Sequence, residues 1–229
     1  MKFTYSIPTK ILFGPGSFND LATTPLPGKK ALVVITAGKS MRANGYLDRL
    51  IDMLDKQGIG HALFDKILPN PVLRHVHEGA ALAREQGCDF VIGLGGGSSI
   101  DSAKSIAVMA KNPGDYWDYI SGGSGKGQPL VNGALPIVAI ATTAGTGTEA
   151  DPWTVITKED TNEKIGFGCA ETFPVLSVVD PEMMLTIPAH LTAYQGFDAL
   201  FHATEGYIAN VATPLSDAYA LKSIELLAK

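Results

Sequence analysis

Short apolar runs alternate with amphipathic stretches over most of this chain. Lys30 to Thr36 (Lys-Ala-Leu-Val-Val-Ile-Thr) is rich in β-branched residues and reads as a buried parallel strand. In Tyr46 to Gln57 the apolar positions Leu47, Leu50, Ile51 and Leu54 recur at helical spacing, and Gly58 ends the pattern. His61 to Lys66 predicts a second strand and Val72 to Gln86 a second helix, stopped by Gly87. Asp89 to Leu94 predicts a third strand that runs into Gly95-Gly96-Gly97-Ser98, and Ile100 to Met109 predicts the helix behind it. Pro136 to Ile140 predicts a fourth strand, followed by Thr142-Thr143-Ala144-Gly145-Thr146-Gly147-Thr148. Such alternation implies an α/β fold with a parallel sheet covered on both faces. After about Pro188 the pattern changes to two helical segments with no strand. The expected division is therefore an α/β domain over residues 1–187 and the start of an all-helical domain over residues 188–229.

Composition narrows the function classes. The chain has 229 residues, 45% hydrophobic, with 25 glycines, which suits one to one and a half α/β domains with a sizeable core. A net charge of −5 argues against nucleic acid or an anionic membrane surface as the main partner. Cys88 and Cys169 fit no metal or redox spacing and read as buried thiols. The first residues hold no apolar signal core, and no run has the length of a membrane span, so a cytoplasmic location is expected.

Two small-residue loops carry candidate chemistry. Gly95 to Ser98 joins a strand to a helix, where glycines allow close backbone approach and the helix N-terminus offers free N–H groups to a pyrophosphate. Ser98 adds a hydroxyl donor. Asp101 sits in the first helical turn, either simply as a favourably placed acid or in contact with a ribose hydroxyl or a loop amide. Lys104, one turn on, reads as a solvated partner of Asp101, with a phosphate contact as the alternative. The Thr142 to Thr148 loop offers hydroxyls from Thr142, Thr143 and Thr146, and amides from Gly145 and Gly147, as a second wall of a nucleotide cleft. The first strand–turn–helix unit lacks Gly-x-Gly-x-x-Gly, and no Gly-x-x-x-x-Gly-Lys-Ser/Thr occurs, so neither the ordinary Rossmann fingerprint nor an ATP-hydrolysing loop applies. Gly122 to Gly127 reads as a surface linker. Asp198 and His202 lie four apart in a helical segment, on one face, where a carboxylate and an imidazole suit one divalent metal. Alone, the pair is a weak signal and reads first as a surface acid beside a core histidine.

Together, Gly95-Gly96-Gly97-Ser98-x-x-Asp101, Thr142 to Gly147 and Gly196-x-Asp198-Ala199-x-x-His202-Ala203-x-Glu205-Gly206-Tyr207 resemble the iron-containing (group III) alcohol dehydrogenases, as does Pro69-Asn70-Pro71. The resemblance extends from about Phe3 to Lys229 and is nearest the butanol dehydrogenase/aldehyde reductase branch. It implies a dehydroquinate synthase-like architecture and metal-dependent, reversible hydride transfer between a primary alcohol and NAD(P)⁺. By resemblance, Asp198 and His202 are two of four metal ligands, for Fe2+ or Zn2+. Gly96, Gly97, Ser98, Thr142, Thr143 and Thr146 line the cofactor cleft, and Asn70 and Lys164 approach the cofactor, although Lys164 also reads as a solvated loop lysine. Where NAD-using members often carry an aspartate after the first strand, Thr36-Ala37-Gly38-Lys39-Ser40 has no carboxylate. Gly38, Lys39 and Ser40 therefore favour NADP, with NAD as the alternative.

The family supplies two further histidine ligands, which none of His61, His75, His77 and His190 matches. The expectation is a fragment of a longer enzyme whose last forty residues need further helices or a partner surface. Partners expected are a small alcohol or aldehyde and a second copy of the chain, as a homodimer or larger. A glycerol dehydrogenase-like enzyme, a non-catalytic NADP-binding fragment, and a dimerisation module pairing through an edge strand at Phe3 to Ile7 are the competing expectations.

Overall fold

The computed structural model describes residues 1–229. Its strands are β1 (Lys10–Phe13), β2 (Lys30–Thr36), β3 (Gly60–Ile67), β4 (Phe90–Gly95), β5 (Ile137–Ala141), β6 (Thr154–Lys158), β7 (Glu163–Phe167) and β8 (Leu176–Val179). Its helices are α1 (Ser17–Asp20), α2 (Ser40–Ala43), α3 (Tyr46–Lys56), α4 (Leu73–Glu85), α5 (Gly97–Lys111), α6 (Ala189–Ile208) and α7 (Pro214–Leu227).

Six strands form one sheet in the order β1-β8-β5-β4-β2-β3, every pair parallel. Alternation along β2 shows how the sheet is sandwiched. Ala31, Val33 and Ile35 face the layer holding Leu47, Leu50 and Leu54 of α3. Leu32 and Val34 face the opposite layer, with Val76 and Ala80 of α4 and Ala103 and Ile106 of α5. The expected parallel sheet with helices on both faces is present.

Helix ends follow the glycine signals. After α3, Gly58 at φ 68 donates its N–H to Asp55 O and Ile59 donates to Leu54 O. After α4, Gly87 at φ 64 donates to Arg84 O and Cys88 to Ala83 O. Both are Schellman terminations, which need a left-handed residue at the first position past the cap. Helix α5 begins at Gly97, three residues earlier than the apolar pattern suggested, because its first turn carries small and polar residues.

Four strands were not legible. Strand β1 is a short, largely exposed edge, and β8 is only four residues long. Strands β6 and β7 form a separate antiparallel hairpin of mixed polarity. The edge strand expected at Phe3 to Ile7 is absent. Residues 1–9 carry no strand, the sheet's edge is β1 on β8, and Tyr5 instead stacks on Tyr219 of α7 with ring centroids 6.1 Å apart.

The last strand ends at Val179, and from Ala189 onward only helix occurs, with α6 and α7 packed on each other. Helix α6 has no buried residue; Phe197 and Phe201 are each 60% exposed. Cys88 is buried and Cys169 half-buried, both as free thiols. No helix is long and apolar enough to cross a membrane.

Candidate cofactor and metal cleft

Strand β2 sends its connection to the α3 layer, whereas its neighbour β4 continues into α5 on the opposite layer. In an open parallel sheet this divergence opens a crevice beyond the carboxyl ends of the strands. Three loops emerge at that edge: residues 37–39 after β2, Gly96 after β4, and Thr142 to Thr148 after β5. Gly93 lets α5 close onto β4, because a Cβ there would meet Ile100 Cα at 2.9 Å and Ala103 Cβ at 3.0 Å. The first turn of α5 is thereby held at the sheet edge with the Gly97 and Ser98 N–H groups open, while Ser99 and Ile100 donate to Gly96 O.

The two glycine loops meet. Thr142 donates its N–H to Gly95 O at 3.0 Å, and a Cβ on Gly96 would strike the Thr143 side chain. A Cβ on Gly97 would lie 3.1 Å from Thr146 Cγ2. On the other side, Ser98 donates its hydroxyl to Pro69 O at 2.8 Å, and Lys164 Nζ donates to Asn70 Oδ1 at 3.1 Å. These contacts enclose a cleft of about 700 Å³ that gathers Asn70, Gly97, Ser98, Asp101, Thr146, Lys164, Asp198 and His202 from the expected site. Gly96, Thr142 and Thr143 form the junction of the loops and do not line the cleft. Gly38, Lys39 and Ser40 lie outside it, after the neighbouring strand, with Ser40 opening α2.

Helix α6 is docked onto the threonine loop. Gln195 Oε1 accepts the Ala144 N–H at 2.8 Å, and His202 Nδ1 is 3.1 Å from Gly145 O. A carbonyl only accepts, so Nδ1 is the donor, and in the neutral tautomer the lone pair is on Nε2. That Nε2 lies 3.9 Å from Asp198 Oδ1, and both side chains are about half exposed. Asp198 and His202 thus present a carboxylate and an imidazole lone pair to the same cleft, a donor set that fits a divalent cation. Nowhere do three or more His, Cys, Asp or Glu side chains gather closely enough to hold a metal.

Lys104 corrects the sequence reading. It is not a solvated surface lysine: its exposure is 0%. Its Nζ reaches Thr148 Oγ1 at 2.7 Å, Trp153 O at 2.7 Å, Asp151 O at 2.9 Å and Asp151 Oδ1 at 3.2 Å. Thr148 in turn donates to Asp101 Oδ1 at 2.7 Å, and Val155 donates its N–H to Asp101 Oδ2 at 2.9 Å. The amide that reaches Asp101, Val155 N–H, belongs to strand β6 and not to a loop. Burial pushes the Asp101 carboxyl upward, opposed by Thr148, Val155 and Lys104. Burial also pulls the Lys104 ammonium downward, opposed by Asp151 and Asp101. Asp151, Trp153 and Val155 line the cleft without having been singled out from the sequence. The Asp101-x-x-Lys104 spacing was the only available signal, and it pointed to solvent.

An open α/β sheet with a polar cleft at its carboxyl edge, closed by a helix carrying a carboxylate–imidazole pair, defines the class. The chain belongs to the iron-containing alcohol dehydrogenase family: that family's model matches residues 8–181, and the model of the family's C-terminal region matches residues 192–229. It is 40% identical over 227 residues to choline dehydrogenase of Bacillus subtilis (strain 168), covering 98% of this chain and 56% of that protein. Among solved structures, an alcohol dehydrogenase from an archaeal halo-thermophile of a Red Sea brine pool superposes with a TM-score of 0.93 at 36% identity. The match covers 99% of this chain and 58% of that one. NADH-dependent butanol dehydrogenase A of Thermotoga maritima gives 0.89 at 35% identity, over 99% and 56% of the two chains. The chain spans somewhat more than half the length of these relatives.

Proposed function

We propose that this chain supplies the dinucleotide-binding half and two metal ligands of a metal-dependent alcohol dehydrogenase or aldehyde reductase. The observation that carries the reading is a single cleft running from the N-terminus of α5 to the Asp198–His202 pair. The free N–H groups of Gly97 and Ser98 at the start of α5 bind the cofactor diphosphate, and the Ser98 hydroxyl ties that turn to Pro69 O. Asn70 and Lys164 hold the opposite wall. Asp198 and His202 Nε2 contribute a carboxylate and a neutral imidazole to the cation. When bound, that cation supplies Lewis-acid polarisation of a substrate oxygen. In the neutral imidazole, Gly145 O selects the His202 tautomer whose Nε2 lone pair faces the cleft.

The substrate class is a small primary alcohol or its aldehyde. The cofactor reading favours NADPH, because the turn at Gly38, Lys39 and Ser40 presents no carboxylate to a ribose 2′-phosphate and offers an ammonium and a hydroxyl. NADH is the competing cofactor, as the printed name of the Thermotoga maritima relative indicates for that protein.

A second reading, a dinucleotide-binding fragment without turnover, is favoured by the lack of a third close metal-ligating side chain. One pair of measurements separates the two. Saturable NADPH binding with Fe2+-dependent aldehyde reduction supports the enzyme reading. Binding without turnover under any added metal supports the fragment reading. No binding at millimolar cofactor removes both.

A further inference from the structure

Resting on the dinucleotide reading above, we infer that Lys104 is a positioning residue that neutralises and shapes the cleft wall formed by Asp101, Thr148, Asp151 and Trp153. The geometry is specific. One fully buried ammonium meets four oxygen atoms within 3.2 Å, all from the segment between β5 and β6. Those acceptors lie 44 to 49 residues away in sequence, so the lysine fastens a long connection to α5. Thr148 relays the contact, accepting from Lys104 and donating to Asp101. Asp101, Thr148, Asp151 and Trp153 all line the cleft between the α5 N-terminus and the Asp198–His202 pair. A dinucleotide spanning that distance must pass this wall.

Charge explains why a cation is needed there. Asp101 and Asp151 both face the cleft, and Glu149 adds to the acidic field around Lys104. The cofactor carries phosphates and is itself anionic. Without Lys104, Asp101 and Asp151 would face it uncompensated, and a buried carboxylate stripped of its cation is costly. Lys104 itself does not line the cleft, so it acts through the wall and not by touching the ligand.

The test uses the 229-residue chain, with NADPH and NADH titrated separately and followed by tryptophan fluorescence, since Trp153 lies in the cleft. Lys104→Met is expected to weaken cofactor binding about tenfold or more, the scale for orphaning one member of a buried ion pair. Adding Asp151→Asn removes one uncompensated charge while keeping an acceptor for the Trp153 N–H, and is expected to recover most of the loss. Melting temperatures of both variants are measured alongside, because an orphaned buried carboxylate also destabilises the fold; a positioning role requires the binding loss and its recovery in protein that is folded at the titration temperature. If Lys104→Met does not fold, Thr148→Val breaks the relay to Asp101 without orphaning a charge, and a weakening of about threefold to tenfold is expected. The inference is overturned if Lys104→Met binds cofactor like the wild type, or if the double variant binds no better than the single. It is overturned equally if, with Lys104→Met unfolded, Thr148→Val binds normally. Failure of the wild type to bind either cofactor would instead overturn the dinucleotide reading itself.

Discussion

His202 Nδ1 sits 3.1 Å from the carbonyl oxygen of Gly145, so the peptide that turns the threonine loop also orients the imidazole of α6. The same glycine, at φ 102, leaves room for Asp198: a Cβ there would lie 2.9 Å from Asp198 Oδ2. One residue without a side chain therefore sets both members of the candidate metal pair.

Gly145→Ala should lose on both counts. The left-handed backbone strain alone costs about 1–3 kcal/mol, and Asp198 must move. Metal affinity, measured by competition with a chelating dye, is expected to fall about 10- to 100-fold, the range for losing outer support of a ligand. Unchanged affinity would refute the assignment of Gly145.

Gly97→Asp should weaken cofactor binding while leaving the fold intact. Its Cβ would meet Thr146 Cγ2 at 3.1 Å, a contact that a small loop shift relieves. Its carboxylate would then compete with the diphosphate at the helix N-terminus. Isothermal titration should show affinity at least about tenfold weaker, with an unchanged far-ultraviolet dichroism spectrum.

Lys39→Asp tests the cofactor reading. Introducing a carboxylate beside the ribose should repel a 2′-phosphate and accept from free ribose hydroxyls. The ratio of NADPH to NADH dissociation constants is expected to rise by about tenfold or more. An unchanged ratio would place discrimination elsewhere.

Glu163, beside the cleft-lining Lys164 but not itself in the lining, provides a pH handle. The Ser124 hydroxyl, the Thr161 hydroxyl and the Ser124 N–H all donate to it, and they hold its carboxyl down to about 2. A carboxyl depressed in the folded state favours folding above its ordinary value of 4.5. That contribution fades as pH falls from there through about 2, where the folded carboxyl takes up its proton. Glu163→Gln should flatten this acid limb of a melting-temperature profile, and a wild-type profile without that limb would contradict the assignment. The 122–127 loop, expected as a bare linker, is pinned to β7 by these bonds.

Much of the architecture was legible because its signals are local. The apolar run of β2 and the periodic face of α3 lie where expected, as do the glycines that end α3 and α4, since each depends on a few neighbouring residues. The glycine loop after β4 and the i, i+4 spacing of Asp198 and His202 are local in the same sense. That they open onto one cleft could only come from the crossing of the sheet.

Lys104 marks where local reading ends. By spacing alone, a lysine one turn after an aspartate on a helix is a solvent pair, and the i, i+3 pattern contains nothing to contradict that. Its burial is decided by residues 148–153, which return over α5 only because β5 and β6 are separated by a long connection. Strands β1 and β8 follow the same logic: too short to announce themselves, they are strands because each completes the other's hydrogen bonds across more than 160 residues. The chain's sequence determined its elements and the chemical types at the site; long-range packing decided which of those side chains meet, and which charge is buried behind them.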